Sequence, residues 1–150
     1  MKEVESLVRK YVKNAEMMQL ATVSGDQPWC CTLHFVCDEN LNFYWISKPE
    51  ARHSKEILDN KKIAVAITVR LDDLNIVGIQ VEGDAELVEN EDEIKAAIQL
   101  YTDKFNRGEE WYGDFIAGNN EHKLYCIKPR MFVLFDSVNF PDDERREWKP

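Results

Sequence analysis

Residues 18–37 read MQLATVSGDQPWCCTLHFVC, and this segment sets the architecture of the whole chain. Residues 18–24 and 28–37 predict strands, and in the second Trp29, Leu33 and Phe35 share one face while Thr32 and His34 share the other. Between them, Gly25 takes positive φ readily and Asp26 can bond its own backbone, which predicts a turn. The segment therefore predicts two antiparallel strands joined by a short connection.

The rest of the chain predicts more strands of the same kind. They span residues 41–47, 63–70, 75–88, 123–128 and 131–136. Residues 63–70 are apolar at nearly every position, which predicts a strand buried on both faces. Gly83, inside the 75–88 strand, predicts a bulge or a sharp bend.

Helices are predicted at three places between these strands. An apolar stripe at helical spacing covers the N-terminal segment 1–17, and residues 52–60 form a short helix after Pro49. Asn90 caps a long helix, with Glu93 three residues later as in a capping box. Residues 106–121 are irregular or a short helix, and the polar tail 141–150 is frayed. This order predicts a single domain over residues 1–150, a small barrel of six to seven strands with helices outside.

Composition and charge exclude several classes of function. The net charge of −9 repels nucleic acid and anionic lipid, so neither partner is expected. No apolar run approaches 18 residues and the N-terminus is not signal-like, so a cytoplasmic location is expected. The four cysteines, Cys30, Cys31, Cys37 and Cys126, lack CxxC spacing, which predicts reduced strand residues and no metal site.

The richest candidate for chemistry is the segment from Ser47 to Lys55. Arg52, His53 and Lys55 cluster at the start of the predicted short helix, and Ser47 adds a hydroxyl at the preceding strand end. Helix N-termini carry unpaired N–H groups and a positive dipole end, so this pattern favours phosphate binding. The alternative is a solvated helix face whose cations interact with neighbouring acids such as Glu56.

Two further features leave their interpretation open. Aromatic residues on the strands before this cluster could wall a flat cofactor ring or simply fill the barrel. They are Trp29, Phe35, Phe43, Tyr44 and Trp45. His34, in the middle of a strand, is either an acid–base group or ligand, or a structural residue.

Five segments, taken in order, resemble the pyridoxamine-phosphate-oxidase-like, FMN-binding split β-barrel superfamily. They are LATVSGDQPW (20–29), FYWIS (43–47), RHSKEILDNKKIAVAI (52–67), VEGDAELVE (81–89) and LYCIKPRMFVLFD (124–136). The match spans about residues 18–136. It implies a mainly β, antiparallel split barrel of Greek-key type. It also implies FMN as cofactor and a homodimer with cofactor clefts at its interface.

The resemblance also implies roles for individual residues. Arg52 and His53 match the positions that hold the FMN phosphate; many relatives have lysine at the second, and Lys55 could compensate. Ile46 and Ser47 match family positions near the phosphate and the ribityl chain. The strand whose backbone edges the isoalloxazine ring corresponds here to Cys31, Thr32, Leu33 and His34. The C-terminus, residues 142–150, lacks the family's basic–Leu–x–Pro substrate motif. Pyridoxal-phosphate synthesis is therefore not expected, and the chain resembles an uncharacterised branch.

The sequence leaves four functions open. The first is an FMN-dependent oxidoreductase acting on an unknown small molecule, with no assigned catalytic residue and His34 as the first to test. The second is a non-catalytic flavin or haem module, with His34, His53 or His122 as axial ligand. A deazaflavin-dependent reductase and a dimerising scaffold without cofactor are the others.

Overall fold

Eight strands and four helices follow one another along residues 2–150, the part of the chain that the computed structural model describes. They are α1 (Lys2–Asn14), β1 (Met17–Ser24), β2 (Gln27–His34), β3 (Val36–Cys37), β4 (Phe43–Ser47), α2 (Arg52–Asp59), β5 (Lys62–Leu71), β6 (Ile76–Leu87), α3 (Glu91–Lys104), α4 (Glu109–Ile116), β7 (Lys123–Asp136) and β8 (Arg145–Trp148). No helix in this part of the chain is both long and apolar enough to cross a lipid bilayer.

The strands form one antiparallel sheet in the order β2-β1-β5-β6-β7-β4-β3, with β8 paired to β7. Strands β2 and β3 lie at opposite ends of this order but are neighbours in sequence, so the sheet curls back on itself. The predicted mainly β, antiparallel split barrel is confirmed. Seven strands follow one another in this order, which is the upper end of the six to seven predicted, and β8 is an eighth.

The prediction of a single strand over residues 28–37 was wrong, because the strand breaks at Phe35. The Phe35 N–H donates to the carbonyl of Glu16 at 3.1 Å, and the Phe35 ring is fully buried. Strand β2 pairs with β1, whereas β3 pairs with β4. The break thus transfers the chain from one edge of the barrel to the other.

The prediction of two strands at 123–128 and 131–136 was also wrong, because residues 123–136 form the single strand β7. Pro129 lies opposite Gly83, where the register between β6 and β7 shifts. A Cβ built on Gly83 would lie 2.6 Å from the carbonyl oxygen of Lys128, so the strands approach too closely for a side chain. The predicted irregularity at Gly83 is confirmed, and it lets β7 continue through its proline.

Strand β5 is buried on one face only, which corrects the prediction of burial on both. Ile63, Val65 and Ile67 point into the barrel, whereas Ala64 and Ala66 are exposed. The apolar run predicted burial of both faces wrongly, because alanine fits an exposed strand face as well as a buried one. The outer face of β5 therefore remains uncovered in the single chain.

The C-terminal tail is ordered, contrary to the prediction that it frays from residue 141. Residues 145–148 form β8, which pairs with β7. The Trp148 ring stacks on that of Phe132 at 5.4 Å between centroids, and 9% of Trp148 is exposed. One large aromatic side chain thus anchors a polar segment.

A second hydrophobic cluster outside the barrel holds α3 and α4 against β3, β4 and β7. The start of α3 is capped as predicted, since the Asn90 side chain accepts a hydrogen bond from the Glu93 N–H at 2.9 Å. The Glu93 carboxylate accepts from the Tyr44 hydroxyl at 2.9 Å. This packing sets the two helices beside the end of β2.

Candidate functional site

A cavity of about 640 Å³ opens between the strands β2 and β4 and the segment that carries α3 and α4. Its volume lies in the range of small-molecule sites, which is about 300–1,000 Å³. The strand side brings together four predicted site residues, Thr32, Leu33, His34 and Ile46. Cys31 does not line this cavity and packs instead against the barrel core.

His34 has a defined position within this cavity. Its imidazole stacks on the ring of Phe105, with 4.9 Å between centroids and 26° between planes. Phe105 is the residue at the C-terminal end of α3. His34 is therefore held against the helical side while it remains exposed to the cavity.

The helical side of the cavity contains residues that the sequence reasoning missed. Tyr101 from α3 and Trp111 from α4 stack at 5.7 Å between centroids, and Arg107 lies between the two helices. Burial raises the pKa of the Tyr101 phenol, and the nearby Arg107 guanidinium partly offsets that rise. The one sequence signal for these residues is the pair Arg107–Gly108 after a predicted helix, and such a pair is common in loops.

The loop before β7 completes the cavity. Asn119, Asn120, Glu121 and His122 line it. The Asn120 side-chain oxygen accepts from the His122 backbone N–H at 2.9 Å and lies 2.8 Å from His122 Nδ1. Two histidines, His34 and His122, thus face one cavity, while His53 lies outside it.

The remaining predicted residues gather at the start of α2. Ala51 occupies the N-cap position without a side-chain hydrogen bond, and the first turn contains no acid. The first intrahelical bond runs from the Lys55 N–H to the Ala51 carbonyl, at 3.1 Å. The N–H groups of the first turn are therefore left for solvent or for an anion.

Arg52 is held in place from two directions. Its guanidinium carbon lies 4.0 Å from the centroid of the Trp29 ring, and its Nε donates to Glu56 at 3.2 Å. Glu56 is buried and also accepts from the Thr22 hydroxyl at 3.0 Å. The interaction with a neighbouring acid, which the sequence offered as the alternative interpretation, is present. It uses only Nε and leaves the terminal guanidinium nitrogens for another anion.

His53 contributes a hydrogen bond here and not a charge. Its Nε2 lies 2.7 Å from the hydroxyl of Ser47, which is itself buried. Burial lowers the pKa of His53 below 6.5, although the Glu56 carboxylate opposes this effect. The imidazole is consequently neutral at pH 7, and Arg52 and Lys55 carry the positive charge of the cluster.

Strand β4 connects the two groups of residues. Ile46 lines the cavity, and the next residue, Ser47, contacts His53. Beyond them, Lys48 forms an ion pair with Glu121 at 2.9 Å, which ties the start of α2 to the loop before β7. This pair raises the pKa of Lys48 and lowers that of Glu121.

These features define a split β-barrel with a ligand-sized cleft beside a helix N-terminus. The family model described as pyridoxamine 5'-phosphate oxidase matches residues 4–131. The chain belongs to this family, and the resemblance seen in the sequence is confirmed.

Individual relatives match less strongly. A UPF0306 protein of Yersinia pseudotuberculosis is 27% identical over 101 residues, which cover 66% of this chain and 68% of the relative. The conserved hypothetical protein Rv2991 of Mycobacterium tuberculosis superposes with a TM-score of 0.79 at 14% identity, over 91% of this chain and 87% of its own. A heme binding protein of Mycobacterium smegmatis superposes with a TM-score of 0.74 at 15% identity, over 94% of this chain and 55% of that protein. At such identities the two structures share the fold alone.

Proposed function

We propose that this chain binds FMN, with its phosphate at the start of α2 and its ring in the cavity beside β2. One observation carries the proposal: the uncapped start of α2 and the cavity meet along β4, at Ile46 and Ser47. An elongated ligand with an anionic end and a flat end fits that arrangement. The family of the chain supports the choice of a flavin.

The residues at α2 fit a phosphate group. The first-turn N–H groups point out of the helix, Arg52 keeps its terminal nitrogens, and Lys55 forms no ion pair with any residue in 2–150. The Ser47 hydroxyl can donate to phosphate while His53 donates to Ser47, since the neutral imidazole offers one N–H. Backbone N–H groups, two cationic side chains and a hydroxyl are thus available around the start of α2 without a charged histidine.

The residues of the cavity fit a flat ring. Leu33 and Ile46 give apolar contact, and the backbone of β2 offers polar groups at its free edge. When bound, the flavin would supply hydride or electron transfer, and the protein would orient the reactants and exclude water. We therefore propose an oxidoreductase acting on a small molecule.

His34 is the proposed acid–base residue, since it is the strand histidine that faces the cavity. His34→Ala is expected to lower turnover of a substrate by about 10²-fold or more, as loss of a general acid or base does. FMN affinity, read by flavin absorbance, should change little. Unchanged turnover would remove His34 from the mechanism.

The test of the proposal is the absorbance spectrum of purified protein, with and without added FMN. Wild-type protein should bind FMN. Arg52→Ala should weaken binding about tenfold or more, because a charge-assisted contact is lost. Arg70→Ala is the matched control, since Arg70 pairs with Asp72 at the far end of β5. Protein that ignores FMN, or an Arg52→Ala variant with wild-type affinity, would contradict the proposal.

Haem is the second candidate, because His34 and His122 both line the cavity and either could be an axial ligand. A Soret band in purified protein that shifts in His34→Ala or His122→Ala would favour haem over flavin. His53→Ala should leave it unchanged, since His53 lies outside the cavity and bonds to Ser47.

We also propose a cytoplasmic location, on the basis of the thiols. All four cysteines are free, and Cys30 is exposed. Burial raises the pKa of Cys31 to about 11 and that of Cys37 to about 12, so these thiols stay protonated. Four free thiols suit a reducing compartment.

A further inference from the structure

Arg107 is a cation in the cavity that FMN binding at α2 does not use. It lies between α3 and α4 and lines the cavity together with Tyr101 and Trp111. Within residues 2–150 its guanidinium forms no ion pair, whereas Arg52 and Lys48 do. Among these residues no carboxylate thus contacts the Arg107 guanidinium directly.

The backbone around Arg107 is specialised. Asn106 and Gly108, the residues on either side, have φ values of 52° and 87°. Positive φ is uncommon for a residue other than glycine, although asparagine tolerates it. The Arg107 N–H donates to the Thr102 carbonyl at 3.0 Å and closes the end of α3. The positive φ values on either side therefore set the path of the chain at Arg107, between α3 and α4.

A flat apolar surface lies next to this charge. The guanidinium carbon of Arg107 is 5.8 Å from the centroid of the Trp111 ring. The rings of Trp111 and Tyr101 are nearly parallel, with 21° between planes. Trp111 remains partly exposed and lines the cavity, so a planar molecule in the cavity has an aromatic side chain and the guanidinium within reach together.

The charges of the cavity select a monoanion. Two carboxylates, Asp114 and Glu121, line the same cavity as Arg107. A dianion such as a phosphate monoester would be repelled by both, with one guanidinium to offset them. A carboxylate carries a single charge and matches the planar fork of arginine.

We propose that Arg107 binds the carboxylate of a small planar substrate whose ring stacks on Trp111. The inference deepens the proposed function and rests on it, since the substrate would then lie between the helical side of the cavity and a flavin held along β2. Arg107 and Trp111 are specificity residues in this arrangement. The substrate class is an aromatic or conjugated monocarboxylic acid.

The experiment is isothermal titration calorimetry with benzoate, on FMN-loaded protein and on cofactor-free protein. Benzamide serves as the uncharged analogue and phenyl phosphate as the dianion. Benzoate should bind at least tenfold more tightly than either. Arg107→Gln should weaken benzoate about tenfold or more and leave benzamide unchanged, because only the charged contact is lost. Trp111→Leu should weaken both benzoate and benzamide.

Arg70→Gln, which removes a guanidinium far from the cavity, should bind benzoate as the wild type does. Equal affinity of Arg107→Gln and wild type for benzoate, no benzoate binding to either form of the protein, or tighter binding of phenyl phosphate would overturn the proposal. FMN binding is read separately by absorbance. Protein that binds benzoate through Arg107 but ignores FMN would disprove the flavin role and still support the carboxylate site.

Discussion

At the scale of single residues, the ion pair between Lys48 and Glu121 places a negative charge beside the proposed phosphate site. Glu121 lowers the positive potential that Lys48 would otherwise offer. Both side chains are largely exposed, so their mutual attraction is weak. An incoming phosphate therefore gains Lys48 as a partner at small cost if Glu121 moves away.

Glu121→Gln is expected to tighten FMN binding by about two- to fivefold, the scale of one exposed ion pair. Fluorescence titration of cofactor-free protein measures the change, and added salt should reduce it. Glu3→Gln on α1 removes the same charge far from the site and controls for net charge. Equal or weaker affinity in Glu121→Gln would show that the carboxylate does not act on the phosphate site.

Residues in short local patterns were the ones whose place in the fold the sequence could predict. Arg52, His53 and Lys55 follow a strand and a proline, so their place at a helix start depends on neighbours in the chain. The neutrality of His53 could not be predicted, because it depends on burial, which lowers the pKa of His53 against the opposing effect of the Glu56 carboxylate. Arg107 was missed because α3 and α4 bring it to the cavity through packing distant in sequence.

At the scale of elements, two glycines differ in the space around them, one in a strand and one in a helix. Gly83 sits in the irregularity between β6 and β7, where a Cβ would meet the backbone of Lys128 and Pro129. Gly113 lies inside α4 without a positive φ, and a Cβ added there would have no atom within 4 Å. The same substitution should therefore have opposite effects at the two sites.

Gly83→Ala is expected to lower the free energy of unfolding by about 1–3 kcal/mol, the cost of overpacking against backbone that cannot move aside. Gly113→Ala should raise it by about 0.5–1 kcal/mol, since alanine favours the helix. Urea unfolding followed by circular dichroism measures both. A neutral Gly83→Ala variant would mean that the strands can separate at the bulge.

Strand existence was predictable and strand extent was not. The turn at Gly25 and Asp26 after residues 18–24 and the apolar run in 63–70 are local signals, and both strands form. The break at Phe35 depends on a hydrogen bond to Glu16, and the order of the tail depends on Trp148 reaching Phe132. Neither contact leaves a mark in the local sequence.

At the scale of the whole molecule, the outer face of β1, β2, β5 and β6 is open. Small residues lie at its centre, with Ala64 and Ala66 exposed on β5 beside Ala21 and Cys30. They line a shallow cavity of about 460 Å³. We propose that a second copy of the chain packs on this face, since a small-residue sheet surface allows close approach. Contact there would put the end of β2, and so the cofactor cleft, near the partner.

Sedimentation of the wild-type protein at micromolar concentration should therefore give a dimer mass. Ala66→Glu is expected to weaken dimerisation about tenfold or more, because a further negative charge would be buried at the interface of a molecule that already carries −9. Ala96→Glu makes the same change on the exposed side of α3 and should remain a dimer. Loss of FMN binding together with the dimer in Ala66→Glu would indicate a shared cleft. A monomeric wild type would contradict the dimer, and a dimeric Ala66→Glu variant would place its interface on another face.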